Sequence, residues 1–323
     1  MRRALRISGL CVATLAAACA SKEIARTDDL VVIKVGARAT PEKLAKRFLG
    51  DPEAAWRLVD FNRPEDLRSG GVAIAPLKDW RPTGVSSGAY QVVPVLTYHR
   101  FAFSGPCEGM TVCAADFAAQ IDFLEREGYQ VVPLADFAAF LDGKKQLPRK
   151  AVVLTIDDGW KSTIEIAEPI LAARNVKATL FLYTDFVGAG SALDWSEATR
   201  LKAGGVIDVQ SHSKTHADLT KRKSNENHAA YGARLDRELS VPARVIADRL
   251  NVAPFAFAYP YGATDRKIAD AAEKAGYRMA ATVVRGPNPA FAHPFVLKRT
   301  MIYGGDDLAT FARRLETAVS VEF

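Results

Sequence analysis

An α/β fold on parallel strands, preceded by a small βααβ unit, is the architecture this 323-residue sequence predicts. Three observations carry that prediction. From Gln130 onward, short apolar runs alternate with amphipathic stretches of helical length, the pattern of strand–helix units that build a parallel sheet. The run Val152-Val153-Leu154-Thr155-Ile156 is apolar apart from Thr155, as a strand buried on both faces should be, and it ends in Asp157-Asp158-Gly159. Residues 31–77 carry a strand–helix–helix–strand pattern of their own, set off by a Pro-, Gly- and Ser-containing linker at 78–90.

In chain order, residues 1–18 have a basic start, an apolar middle and small residues before Cys19. That is too short for a flanked membrane span and predicts an export signal. Ala16-Ala17-Ala18-Cys19 resembles a bacterial lipobox, which implies acylation of Cys19 and attachment to a membrane by the lipid alone. Ser21 in place of an Asp behind the cysteine then implies outer-membrane sorting, on the periplasmic side, if the organism is Gram-negative. Residues 19–30 are polar and charged, a tether. Val31 to Val35 is the first strand, and Thr40-Pro41 opens a helix to Phe48, with Thr40 as N-cap and Pro41 at the first helical position. Asp51-Pro52 opens a second helix to Phe61, and Leu67 to Ala75 returns as a strand.

The large domain, 91–323, begins with the apolar strand Val92 to Tyr98, which ends at His99. Cys107 and Cys113 lie six apart in a Gly-rich loop; in an exported protein they form a disulfide, the alternative being free thiols. Helices follow at Ala115–Glu127, Leu134–Leu141, Ser162–Arg174 and Trp195–Ala203, with strands at Gln130–Pro133, the Asp157 strand, Ala178–Tyr183 and Val206–Val209 between them. Ala229 to Leu250 is helical with a break at Pro242. A strand at Phe255–Tyr259, a helix at Asp265–Ala275, strands at Met279–Val283 and Val296–Ile302 and a helix at Asp306–Val319 complete the chain. Seven or eight such units suggest a barrel.

Composition narrows the function. The chain is 49% hydrophobic and 25% charged, as ordinary globular proteins are. Its formal charge of +6 falls to +3 once Arg2, Arg3 and Arg6 of the export signal are set aside, too little for a nucleic-acid partner. Two adjacent carboxylates at a strand end make either a turn or a site, because open α/β sheets place their chemistry at the C-terminal ends of strands. The site reading gains from His212-Ser213-Lys214-Thr215-His216, which follows the next but one strand and holds two of five histidines. One Asp and two His leave an open position on a metal, the pattern of a catalytic zinc site.

Three motifs in order, Thr155-Ile156-Asp157-Asp158-Gly159, His212-Ser213-Lys214-Thr215-His216 and Phe257-Ala258-Tyr259-Pro260-Tyr261-Gly262, resemble those of the polysaccharide deacetylase family (NodB-homology, carbohydrate esterase family 4). The third is nearest the poly-N-acetylglucosamine deacetylase branch. The resemblance implies a distorted (β/α) barrel and a divalent metal, Zn2+ by default, held by Asp158, His212 and His216. It implies Asp157 as general base and the Tyr261 backbone N–H at the oxyanion. The family's C-terminal Leu-x-His is Leu297-Lys298-Arg299 here, so the general acid passes to His99, with His293 as the next candidate. Arg299 would orient Asp157 or meet substrate. Trp160, Trp195 and Tyr259 lie near strand ends as candidate substrate contacts, the alternative for such aromatics being core packing.

Residues 31–77 resemble a divergent LysM domain, which implies binding to cell-wall glycan; the alternative is a small packing unit. The activity so implied is hydrolysis of N-acetyl groups on an N-acetylglucosamine-containing envelope polymer, peptidoglycan or poly-N-acetylglucosamine. An O-acetyl ester hydrolase and a non-catalytic cell-wall-binding lipoprotein are the competing functions.

Overall fold

The computed structural model describes residues 20–78, 82–86 and 89–320. The chain divides into two compact units, Met1–Trp80 and Arg81–Phe323. The expected signal at 1–18 and Cys19 lie outside the described residues.

The first unit is a three-stranded antiparallel sheet, β1 (Lys22–Arg26), β2 (Leu30–Lys34) and β3 (Val72–Pro76), in that order. Between β2 and β3 lie α1 (Pro41–Phe48), a 3-10 turn at Pro52–Ala54 and α2 (Ala55–Phe61). Helix α1 starts where Thr40 Oγ1 accepts the Lys43 N–H at 3.3 Å. Asn62 locks the end of α2 onto β3: its amide donates to the carbonyls of Leu58 and Ile74 and accepts the Ile74 N–H at 2.7 Å. Val31, Ile33, Leu44, Phe48 and Leu58 fill the core beneath. The expected tether at 19–30 is corrected in part, because β1 pairs with β2. All five of its side chains are exposed, so only its backbone holds it and no apolar pattern announces it.

In the second unit a hairpin, β4 (Val85–Ser86) and β5 (Ala89–Val93), leads into β6 (Val95–Tyr98), so residues 85–86 and 89–90 of the expected linker already belong to a folded sheet. β7 (Arg100–Ala102) pairs with β8 (Thr111–Cys113). The Cys107–Cys113 disulfide closes the loop between them. There follow α3 (Ala114–Arg126), β9 (Gln130–Val131), α4 (Leu134–Leu141), β10 (Ala151–Asp158), a π-helical turn at Thr163–Ala167 running into α5 (Glu168–Ala172), β11 (Ala178–Leu182), α6 (Trp195–Ala203), β12 (Ile207–Ser211) and α7 (His228–Leu250). The chain ends with β13 (Ala256–Ala258), a 3-10 turn at Pro260–Gly262, α8 (Arg266–Lys274), β14 (Met279–Ala281), β15 (Asn288–Pro289), β16 (Thr300–Met301), α9 (Leu308–Ala312) and β17 (Ala318–Ser320).

The main sheet runs β14-β13-β12-β11-β10-β6-β16, parallel throughout, with β9 beside the start of β10. It is an α/β half-barrel rather than an evenly closed barrel. The irregular segment 297–301 spans its two edges: Leu297 bridges Ala281 of β14, and Thr300 and Met301 pair with β6. Alternation along β10 separates its faces. Val152, Leu154 and Ile156 pack outward against α3, α5 and their neighbours, while Ala151 and Val153 join Val95, Phe137 and Phe181 inside. Thr155 and Asp157 therefore belong to the inner face.

Two other expectations are corrected. Helix α7 does not break at Pro242. Its buried apolar stripe carries it past the missing N–H, which leaves the Glu238 carbonyl without its helical donor. The expected C-terminal helix stops at Ala312, and Ala318–Ser320 instead completes the exposed edge of β5.

Candidate metal-dependent active site

Asp157 and Asp158 end β10, and their surroundings differ. Asp157 is 1% exposed on the inner face, beside a polar ladder that the apolar strands would not otherwise tolerate. Thr155 Oγ1 donates to the Leu96 carbonyl at 2.8 Å and lies 3.0 Å from Thr97 Oγ1. Arg299, at 0% exposure, completes it. Its Nη1 and Nη2 each donate to one Asp157 oxygen at 2.7 Å, and its Nε donates to the Thr282 carbonyl at 2.9 Å. Such a bidentate pair fixes both the position and the plane of the carboxylate. Burial pushes the Asp157 carboxyl up, but the Arg299 guanidinium, by its charge and its hydrogen bonds, and the neighbouring imidazoles outweigh it and the net shift is downward, toward a carboxylate.

At Asp158 the backbone turns into a positive φ of 78°, which swings the second carboxylate off the strand face. Trp160 Nε1 donates to its Oδ2 at 2.9 Å. Its Oδ1 is buried without a hydrogen-bond partner. That oxygen faces His216 Nε2 at 3.4 Å and His212 Nε2 at 3.6 Å. Burial raises the Asp158 carboxyl, and the contacts with His216, His212, His99 and Trp160 reverse that, so it too is lowered. His212 follows β12 directly and is buried; its Nδ1–H donates to the Ala258 carbonyl at 2.8 Å, which leaves Nε2 bare. Desolvation lowers the His212 pKa against the pull of Asp157 and Asp158, in the direction of the neutral ring that a ligand must be.

These residues fit a divalent metal ion. The candidate ligand atoms of Asp158, His212 and His216 all lie within 4.8 Å of one another. Two ligand atoms each about 2.1 Å from a tetrahedral ion stand about 3.4 Å apart. The orphaned Asp158 oxygen and the bare His212 Nε2 are the atoms such an ion would satisfy. The neutral-imidazole and carboxylate donor set suits zinc and its borderline neighbours.

Around the cluster the sequence-predicted residues divide. His99 directly follows β6 beside β10, half-buried, with Nδ1 buried and unpartnered. Tyr261 is held at φ 59° in the turn after β13, its ring 66% exposed and edge-on to His216 at 4.7 Å. A Cβ on Gly262 would strike Val283, so the turn is closed to larger residues. Trp160 packs edge-on to Phe186 and under the Arg100 guanidinium.

The other expected substrate contacts are corrected. Arg299 is fully buried and holds Asp157, so it meets no substrate. Tyr259 is also fully buried, its hydroxyl donating to the Phe295 carbonyl at 2.9 Å. Trp195 packs against the main core with the Arg249 guanidinium over its ring. His293 is spent locally, its Nδ1 accepting the Phe295 N–H. Glu238 of α7 joins the site unannounced by any motif, though a charge between Leu235 and Leu239 on the apolar stripe of a helix is a legible signal.

Two aspartates and two histidines gather at the C-terminal ends of parallel strands, where α/β barrels place their active sites. Comparison with known proteins shows what the chain is similar to. Residues 144–280 match the polysaccharide deacetylase family model. The Bacillus subtilis (strain 168) protein YxkH, named as a polysaccharide deacetylase, is 24% identical over 70% of this chain and 76% of its own. The poly-beta-1,6-N-acetyl-D-glucosamine N-deacetylase of Escherichia coli (strain K12) is 26% identical over 64% of this chain; the match spans 36% of that protein's length. The Streptococcus pyogenes deacetylase PplD, solved in complex with acetate, shares the fold with a TM-score of 0.63 at 22% identity, over 70% of this chain and 98% of its own. Over these stretches the chain is similar to polysaccharide deacetylases. Among the described residues no helix is long and apolar enough to cross a membrane.

Proposed function

We propose that this protein is a metal-dependent N-deacetylase acting on an N-acetylglucosamine-containing envelope polysaccharide, with zinc as its ion. One observation carries the reading: a carboxylate locked by a buried arginine, Asp157 on Arg299, stands beside an Asp158–His212–His216 cluster in which Asp158 Oδ1 is buried without a hydrogen-bond partner. The family of the relatives supports the reaction class, and the E. coli relative's named substrate supports the polymer.

When bound, a divalent ion at Asp158, His212 and His216 supplies Lewis-acid polarisation of the acetyl carbonyl and a lowered water pKa. Asp157 takes the proton of the attacking water at a carboxylate oxygen. Arg299 keeps that carboxylate ionised and in plane, and Trp160 aims Asp158. His99 gives a proton to the leaving amine, and the Tyr261 backbone N–H meets the developing oxyanion. The exposed rings of Tyr261 and the Trp160 wall offer apolar surface to a sugar face.

The first unit binds N-acetylglucosamine polymer as a LysM-like module and holds the enzyme near its substrate. The βααβ arrangement of β2, α1, α2 and β3 supports this reading. Export by residues 1–18 and lipid attachment at Cys19, on the periplasmic face of the outer membrane in a Gram-negative cell, place both units in the envelope.

The test is acetate and free-amine release from poly-β-1,6-N-acetylglucosamine, chitooligosaccharides, peptidoglycan and acetylxylan, by protein stripped with chelator and reloaded with zinc. Zinc-restored release of acetate and amine in equal amounts from an N-acetyl polymer is expected, lost in Asp157→Asn. Release from acetylxylan alone would move the activity to ester hydrolysis. Zinc uptake with no release from any substrate, while the first unit retains glycan, would leave a binding protein.

A further inference from the structure

His212 and His216 are four residues apart but do not sit on a helix. The chain between them is a loop with two left-handed non-glycine residues, Ser213 at φ 74° and His216 at φ 59°. Each such residue costs on the order of 1–3 kcal/mol and persists only where neighbours over-determine it. Ser213 Oγ accepts the His216 N–H at 2.9 Å, one local constraint. On the outer side the loop leans on the turn after β11: Asp185 N–H donates to the Lys214 carbonyl at 2.9 Å, and Lys214 Nζ reaches Asp185 at 2.6 Å in a largely exposed pair.

The inner side is held by one group. Glu238 of α7, 4% exposed, turns its carboxylate into the concave face of the loop. Its Oε2 accepts the N–H of Lys214 at 3.1 Å and of Thr215 at 2.9 Å, and its Oε1 accepts the Thr215 hydroxyl at 2.8 Å. Successive backbone N–H groups in such a turn form an anion-binding hollow, and here the anion comes from the protein itself. The two residues so gripped are those between Ser213 and His216.

We propose that Glu238 is a positioning residue for the metal centre: its carboxylate, seated on the Lys214 and Thr215 N–H groups, sets the spacing of His212 and His216 before any ion arrives. The proposal rests on the metal-site reading above and deepens it. An outer group that orients ligands in this way typically governs metal affinity by about 10–100-fold.

The experiment is zinc affinity of the full chain, by competition with a chromophoric chelator, beside the melting temperature of the metal-free protein. Glu238→Met keeps the length and apolar packing of the side chain but offers no acceptor; its zinc dissociation constant should rise about 10–100-fold. Glu238→Gln keeps an acceptor for the two N–H groups and turns the other position into a donor to the Thr215 hydroxyl, and should recover most of that loss. Thr215→Val removes one of the three hydrogen bonds without touching the helix and should weaken zinc by about 2–10-fold. Asp185→Asn, which cuts only the exposed pair, should change it less than about twofold. A folded Glu238→Met protein that binds zinc within twofold of the parent overturns the proposal, as does unchanged affinity in Thr215→Val should the first variant fail to fold. A parent that takes up no zinc overturns the metal-site reading and this one with it, whereas equal affinities overturn this one alone.

Discussion

The interior of the half-barrel and its rim use the same polar chemistry to opposite ends. Inside, the polar groups close on one another: Thr97 on Thr155, Arg299 on Asp157 and on the Thr282 carbonyl. At the rim, a few ångströms further along the same strands, atoms are left open: Asp158 Oδ1 and His99 Nδ1 are buried and unpartnered, and His212 Nε2 is bare. Buried polar atoms without partners are rare, because each costs about 1–3 kcal/mol. Two such atoms beside the histidine pair mark where something else is to be bound. The saturated interior holds the groups still, and the unsaturated rim is where chemistry can occur.

That division can be broken in order of expected effect. Asp157→Asn removes the base while leaving both the Asp158 cluster and most of the Arg299 contact in place. Turnover should fall by about 10²–10⁴-fold with zinc affinity nearly unchanged, measured by acetate release and chelator competition. A parallel loss of zinc would mean that Asp157 belongs to the rim. Arg299→Leu strikes the interior: it strands a buried carboxylate, and chemical denaturation should show a loss of about 3–5 kcal/mol. If stability held and activity alone fell, the pair would be catalytic rather than structural.

Trp160→Phe keeps the ring and deletes the Nε1–H to Asp158. Zinc should bind about tenfold more weakly with little change in melting temperature. The smallest catalytic effect is expected of Trp195→Ala, which should cost about 3 kcal/mol of stability and leave KM for the polymer unchanged. A raised KM would return Trp195 to the substrate cleft.

The residues legible in the sequence were those whose chemistry clashes with their strand. Asp157 and Asp158 interrupt an apolar run, the histidines cluster just past β12, and Thr40-Pro41 announces α1. What escaped depends on direction in space. Arg299 and Tyr259 follow or end apolar stretches as the aspartates do, yet the irregular segment 297–301 turns Arg299 inward onto Asp157 and the Phe295 carbonyl claims Tyr259. Trp195 looks the same in sequence whether it lines a cleft or a core. The strands β1 and β17 are held by backbone pairing with exposed or half-exposed side chains, which leaves no periodic trace. Glu238 was readable as a charge on a buried stripe, but its partners are backbone N–H groups, which no sequence displays.

The central claim is that Asp158, His212 and His216 hold the ion that the rim leaves room for. X-ray absorption at the zinc edge, on the full chain reloaded with one equivalent of zinc, tests it most directly. The account predicts two imidazole nitrogens and light oxygen donors at about 2.0–2.2 Å with no sulfur, and loss of one imidazole in His216→Ala. A sulfur shell, or a spectrum unchanged by that substitution, would place the zinc elsewhere and contradict it.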